Sequence, residues 1–211
     1  MMSKMHATFS IQIYKYLLLK YNVKIKKKSL IYGSIKPDAS TIFAKYPHYI
    51  DKSLDMLTAR ISMLIDATDT EKQIETYAFA KELGVATHYL ADYFCRVHND
   101  INGKKHDEGI RHIIYEQRMV SKIKKDEIEM IAMEAMKKSD DNLKFINTNS
   151  LSLFIAKKHE RYMKEAKKLY LHDNEKKRNI IDVSCALEVI LTVCSYIINS
   201  ILNQRRYYGR I

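Results

Sequence analysis

Residues that interrupt regular structure are scarce in this chain, which has 5 glycines and 2 prolines among 211 residues. An all-β fold needs frequent turns, and glycine and proline are the usual residues of those turns. Apolar residues instead recur at helical spacing in about seven segments. These segments lie near residues 5–21, 51–66, 71–97, 108–123, 125–138, 150–170 and 178–203. The sequence therefore predicts an all-α fold.

Length and composition are those of one domain. Hydrophobic residues make up 46% of the chain, which excludes a disordered or low-complexity protein. A chain of this length buries a substantial core, and it contains no internal repeat and no linker rich in Gly, Ser or Pro. We expect a single-domain helical bundle spanning residues 1–211.

The charge balance points to a class of partner without identifying one. Thirty-six Lys and Arg residues against 25 Asp and Glu residues give a formal net charge of +11. Such a surface attracts phosphate-bearing molecules such as nucleotides, nucleic acid or anionic lipid. A solvated basic surface that only keeps the protein soluble explains the same charge equally well.

Cysteine usage and the amino-terminal segment favour a cytoplasmic location. The 3 cysteines have no zinc-type spacing, and an odd number argues against a disulfide framework. The first residues alternate lysines with apolar residues and have no small-residue cleavage site, so we expect no secretory signal. The uncharged run 189–204 is shorter than the roughly 20 residues of a membrane span, and it predicts a buried helix and no transmembrane segment.

A segment between the first two predicted helices, SLIYGSIKPDASTIFAKYPHYID, holds one glycine and both prolines. That composition predicts a long ordered loop, and long ordered loops in compact domains are usually functional. Asp38 follows Pro37, and His48 follows Pro47. Because proline restricts the neighbouring backbone, both side chains are candidate metal ligands on a rigid support.

The stretch HYLADYFCRVHND, residues 88–100, places two histidines and two aspartates in what otherwise resembles the core of a helix. Several such side chains buried together require a compensating charge, which a metal cluster would supply. His88 and Asp92 are four residues apart and so share one face of a helix. His112 and Glu116 repeat that spacing further along the chain.

Other polar residues are weaker candidates. His98 is six residues beyond Asp92, so we expect the helix to end or distort near Val97 for it to join the cluster. His6, near the start of the first helix, is the remaining candidate ligand. A lone histidine on an apolar helix is more often a hydrogen-bonded core residue than a ligand. We assign His106, His159 and His172 to solvent. Asp100 is expected to cap or turn the chain, with hydrogen bonding to a metal ligand as the alternative.

Taken together, these residues form the pattern H-x3-D-x5-H-x13-H-x3-E from His88 to Glu116. The segments GSIKPD, YPHYID, THYLADYF, RVHND and RHIIYEQ then supply seven metal-ligand types in order. In this respect the chain resembles the zinc-dependent phospholipase C family, whose relatives include single-strand nucleases. The resemblance covers roughly residues 6–118, and residues 119–211 offer compatible helices.

The resemblance implies a multinuclear zinc site at the centre of the bundle. One zinc would be bound by Asp38, His48, His88 and Asp92, and a second by His98, His112 and Glu116. In the family a third zinc is held by an amino-terminal tryptophan, by the histidine matching His6 and by the carboxylate matching Asp92. This sequence has no tryptophan, and Met1–Met5 precede His6, so we expect two zincs rather than three.

The implied activity is hydrolysis of phosphoric esters by a zinc-activated water, with Asp38 as the catalytic residue that helps to deprotonate it. The expected substrate contains phosphate, either a phospholipid head group or a nucleotide or nucleic acid, and peripheral contact with an anionic membrane is compatible with the charge. Two alternatives stay open. One is a nuclease or nucleotidase on the same cluster, and the other is a non-catalytic protein whose helices zinc holds together. The sequence gives no oligomeric state.

Overall fold

Helices account for nearly all of the chain that the computed structural model describes, which is residues 4–39, 46–99, 110–146, 150–170 and 174–208. Within these ranges there is no β-strand, so the all-α prediction is confirmed. The helices are α1 (Lys4–Tyr21), α2 (Lys27–Ala39), α3 (Ile50–Asp66), α4 (Glu71–Ile74), α5 (Tyr77–Tyr93), α6 (Ile110–Ser121), α7 (Lys125–Leu143), α8 (Leu151–Tyr170) and α9 (Glu175–Tyr208), with a 3₁₀ turn at Arg96–His98 between α5 and α6.

The helix predicted over 71–97 is divided in two. Thr70 begins α4 with a capping box that it forms with Gln73, and the Thr76 side chain accepts a hydrogen bond from the backbone N–H of Phe79 to begin α5. The chain leaves α5 after Tyr93 and enters the 3₁₀ turn that carries His98. The expected end of the helix near Val97 is therefore confirmed, although it comes a few residues earlier.

The long loop predicted over residues 29–51 is wrong in its first part, which is α2. Leu30, Ile35 and Pro37 are buried along this helix, and the burial of apolar surface offsets the backbone hydrogen bond that Pro37 cannot donate. Gly33, which contributed to the loop prediction, lies in the helix interior. Asp38 is consequently held by the last turn of a helix.

Glycine is needed where α2 crosses α5, the helix pair with the most extensive contact among the described residues. A Cβ on Gly33 would lie 2.1 Å from the Lys81 carbonyl oxygen, and a Cβ on Gly84 would lie 2.3 Å from the Leu30 carbonyl oxygen. No side chain fits at these distances, so the two backbones touch directly. The crossing fixes the position of Asp38 on α2 relative to His88 and Asp92 on α5.

The carboxy-terminal helix α9 lies in the core and packs mainly on α7 and α8. Its inward side chains include Val183, Leu187, Ile190, Cys194, Ile197 and Ile201. By length and composition, Glu175–Asn203 could also cross a membrane, but 72% of its most apolar window is buried inside the protein. This burial confirms the prediction that the uncharged run 189–204 lies in a buried helix.

Polar groups away from the predicted ligands are also buried in the core. On α1, the Tyr16 hydroxyl contacts Ser139 Oγ at 2.8 Å, Lys20 Nζ at 2.9 Å and also Ser195 Oγ. Cys95 and Cys194 are buried and Cys185 is half-buried, as expected of core residues. Burial raises the pKa of Cys194 to about 12, so that thiol is protonated at neutral pH.

Candidate metal centre

Six of the eight predicted ligands lie close together, although they come from five separate segments of the chain. His6 lies in the first turn of α1, and Asp38 in the last turn of α2. His48 precedes α3, and His98 ends the 3₁₀ turn. His88 and Asp92 occupy successive turns of α5, four residues apart, as their spacing predicts.

Four of these side chains form a compact group of potential ligands. Asp38, His48, His88 and Asp92 each offer one ligand atom, and these atoms all lie within 4.8 Å of one another. Asp38 Oδ1 lies 3.6 Å from both His48 Nδ1 and His88 Nε2. Imidazole nitrogens and carboxylate oxygens with no thiolate in the group are a donor set that suits zinc.

Asp92 stands at the middle of the cluster and uses both of its oxygens. Oδ2 lies 2.8 Å from His48 Nδ1 and 3.1 Å from His88 Nε2. Oδ1 faces the other way, 3.3 Å from His6 Nε2 and 3.7 Å from His98 Nε2. Neither oxygen accepts a well-aligned hydrogen bond from the described residues, although the side chain is fully buried. A cation on each side would satisfy both oxygens.

Electrostatics also favour an ionised Asp92. Burial acts to raise the pKa of this carboxyl, because the charged form loses its hydration. The neighbouring His88, His98 and His6 outweigh burial and hold the pKa of Asp92 well below its usual range. The buried carboxylate is therefore available as a ligand at any physiological pH.

The orientation of His88 follows from the helix crossing. Its Nδ1 lies 2.9 Å from the Ser34 carbonyl oxygen on α2, and a carbonyl only accepts, so Nδ1 carries the proton and donates it. In the neutral ring the lone pair is then on Nε2, and this is the atom that faces Asp38, His48 and Asp92. A backbone partner of this kind fixes both the tautomer and the ring orientation of a metal-binding histidine.

Solvent reaches the cluster from one side. The side chains of His88 and Asp92 are 0% exposed, whereas those of His48 and Asp38 are 18% and 29% exposed. A substrate could approach along this side, where Asp38 is the more accessible of the two carboxylates described in the cluster. Tyr49, next to His48, also has its ring centroid 6.1 Å from that of His98.

The turn that carries His98 is supported by Asn99, which our sequence reasoning did not single out. Asn99 Nδ2 donates to the carbonyl oxygens of Tyr93 and Cys95, at 3.0 and 2.8 Å. Its Oδ1 accepts a hydrogen bond of 2.6 Å from His159 Nε2. These bonds tie the end of α5, the 3₁₀ turn and α8 together.

The assignment of His159 to solvent is wrong. The residue is half-buried between the rings of Phe94 and Tyr162, and burial lowers its pKa to about 4. Its charged sequence neighbours suggested solvent, but it lies four residues after Ile155 and three before Tyr162, on the buried face of α8. The helical periodicity of α8 was therefore the sequence signal that could have predicted the burial of His159.

The remaining predicted ligands are only partly described. His112 and Glu116 lie on α6 at the predicted helical spacing, but their side chains fall outside the described part of the chain. Asp100, His106 and His172 also lie outside the described residues. Their predicted roles therefore stay predictions.

Comparison with known proteins points to a zinc-dependent family. A family model described as zinc dependent phospholipase C matches residues 5–169 of the chain. No curated protein and no solved structure matches it. The matched segment contains all eight predicted ligands.

Proposed function

The chain belongs to the zinc-dependent phospholipase C family, and from that membership we propose that it is a zinc hydrolase that cleaves phosphoric esters. The observation that carries the proposal is the group of Asp38, His48, His88 and Asp92, whose ligand atoms lie within 4.8 Å of one another and which is open to solvent on one side. A zinc site that only holds helices together needs no access for solvent, whereas a hydrolytic site needs room for water and substrate beside the metal.

Asp38, His48, His88 and Asp92 would hold one zinc. His98 would hold a second together with His112 and Glu116 on α6, and Asp92, whose Oδ1 lies between His6 and His98, would offset the charge of both ions. When bound, zinc lowers the pKa of water and stabilises negative charge on a phosphoryl oxygen. Asp38 is the more exposed of the two carboxylates described in the cluster and would accept the proton of the attacking water.

For the substrate, the family favours a phospholipid over a nucleotide. The formal charge of +11 suits either, because both carry phosphate. Hydrolysis of a phospholipid at the head-group phosphate is therefore the activity we place first.

Zinc content tests the metal centre directly. Protein purified without added metal is expected to carry about two zincs per chain, because the clustered carboxylates and imidazoles are ready to bind cations. Chelation should lower the melting temperature, and adding zinc back should restore it. Elemental analysis and thermal unfolding measure both effects. Less than about one zinc per chain, together with a melting temperature that does not respond to zinc, would refute the centre.

Asp38→Asn tests catalysis separately from folding. We expect the variant to stay folded, since this side chain is partly exposed at the end of α2. Hydrolysis should fall by at least about 100-fold, the usual size of a general-base contribution. The measurement is the rate on phosphatidylcholine and on a single-stranded oligonucleotide, with zinc content recorded alongside.

Asp66→Asn, which removes an exposed carboxylate at the end of α3, serves as the control and should keep wild-type rates. Cleavage of the oligonucleotide alone would move the assignment to the nuclease alternative. If zinc-loaded wild type cleaves neither substrate, the non-catalytic, zinc-stabilised alternative replaces the proposal.

A further inference from the structure

A buried carboxylate outside the ligand cluster holds several elements together. Asp182 on α9 is 2% exposed, and each of its oxygens accepts a hydrogen bond from a tyrosine. The Tyr162 hydroxyl on α8 donates to Oδ1 at 2.9 Å, and the Tyr115 hydroxyl on α6 donates to Oδ2 at 2.8 Å. The backbone N–H of Arg96 also donates to Oδ2, at 3.3 Å. One side chain thus joins three elements to α9.

The Arg96 side chain closes the same network. Its Nη2 donates to the Tyr115 hydroxyl at 2.6 Å and to Asn179 Oδ1 on α9 at 3.3 Å. The guanidinium also lies over the Tyr115 ring, 4.6 Å from its centroid. Tyr115 therefore accepts from Arg96 while donating to Asp182, a chain of bonds that fixes the positions of all three residues.

The attachment points of this network lie beside predicted ligands. Arg96 is two residues before His98 and in the same 3₁₀ turn. Tyr115 is on α6, next to Glu116 and three residues after His112. No residue of the network is itself a predicted ligand. The contacts of the network instead hold the two elements that would supply the ligands of the second zinc.

Burying this carboxylate carries a cost. Loss of hydration raises the pKa of Asp182 to about 6, although Arg96 and the two tyrosine hydroxyls oppose the shift. A buried polar network of this kind is often no more stable than apolar side chains of similar volume. Stability alone therefore does not account for a buried aspartate on α9, and the positioning of neighbouring elements is a physical reason for it.

From these contacts we infer that Asp182 is a positioning residue for the second half of the metal centre, setting the 3₁₀ turn that carries His98 and the helix that carries His112 and Glu116. The inference rests on the proposed two-zinc centre. Asp182 and Asn179 lie beyond residues 5–169, so this support comes from a part of the chain outside the family match.

Stepwise zinc binding by the full-length chain tests the inference, with competition against a chromogenic chelator giving the affinity of each zinc. Asp182→Asn should weaken the second zinc by at least about tenfold, since loss of a group that orients ligands usually costs 10–100-fold in metal affinity. The first zinc, on Asp38, His48 and His88, should change by less than about threefold. Tyr115→Phe removes the hydroxyl that joins α6 to Asp182 and should act in the same direction, which keeps the test decisive if Asp182→Asn does not fold.

Tyr16→Phe is the matched control, because it also removes a buried, multiply bonded hydroxyl. Tyr16 lies ten residues along α1 from His6, about 15 Å at helical rise. The Tyr16→Phe variant should have a lower melting temperature, and the ratio of its two zinc affinities should equal that of wild type. Wild-type protein that binds two zincs, with Asp182→Asn and Tyr115→Phe keeping both affinities, would overturn this inference alone. Wild-type protein that binds one zinc would overturn the two-zinc proposal and the inference with it.

Discussion

Asp92→Asn is expected to lose most of the bound zinc, with a fall of at least about 100-fold in affinity. The substitution keeps the size and shape of the side chain but removes the negative charge that faces four histidines, through Oδ2 on one side and Oδ1 on the other. A carboxylate shared between two divalent cations offsets the charge of both, so its loss weakens both sites together. Zinc per chain and melting temperature in the presence of zinc measure the effect.

Glu116→Gln is the comparison for this prediction, because both residues are carboxylates on helices and both lie four residues after a histidine. Since Glu116 is assigned to one ion only, the variant should lose less zinc and less of the melting temperature than Asp92→Asn. An equal or greater loss at Glu116 would mean that Asp92 does not bridge the two ions, and the ligands would have to be divided between them differently.

Gly84→Ala is expected to destabilise the protein by about 2–3 kcal/mol, the upper part of the usual range for overpacking, which corresponds to a melting temperature lower by about 5–10 °C. In an ordinary helix, a change from glycine to alanine adds roughly 0.5–1 kcal/mol of stability. A loss of stability in Gly84→Ala would therefore indicate the close helix crossing by its sign alone. The new Cβ would lie 2.3 Å from the Leu30 carbonyl oxygen and 2.7 Å from the Ser34 backbone nitrogen. Both contacts are with backbone, so α2 and α5 have to separate.

The same separation should reduce zinc affinity, because the Ser34 carbonyl oxygen orients the His88 ring. We expect a loss of about tenfold or more in zinc affinity. Lys81→Ala, which truncates a partly exposed side chain on the same helix, should change neither stability nor affinity appreciably. A Gly84→Ala variant that is as stable as wild type would show that the two helices do not cross as closely as described.

Much of the centre was predictable because its ligands follow short-range rules. The four-residue spacing of His88 and Asp92 placed them on one helical face, and their facing atoms indeed lie 3.1 Å apart. The end of the helix before His98 followed from the six-residue gap. The convergence of Asp38 and His48 on that face came from the family resemblance, because no spacing rule links segments so far apart in sequence.

The prediction of a loop around Asp38 was wrong for a physical reason. Glycine and proline have more than one structural use, and single-sequence reasoning favoured the commoner one. Gly33 permits a close helix crossing rather than a turn, and Pro37 is tolerated near the end of a helix. Tertiary packing decides between these uses, as it does for the partners of Asp182, which come from three elements distant in sequence.

The nitrogen and oxygen donors of the cluster have a consequence for which metal the protein carries. Thiolates would favour soft ions, but the group formed by Asp38, His48, His88 and Asp92 contains none. Imidazole and carboxylate also bind cobalt, nickel and copper, and copper binds such donors more tightly than zinc. Occupancy by zinc is therefore governed by the supply of free metals around the chain as it folds. Protein produced in a medium rich in another divalent ion should carry that ion in the same positions.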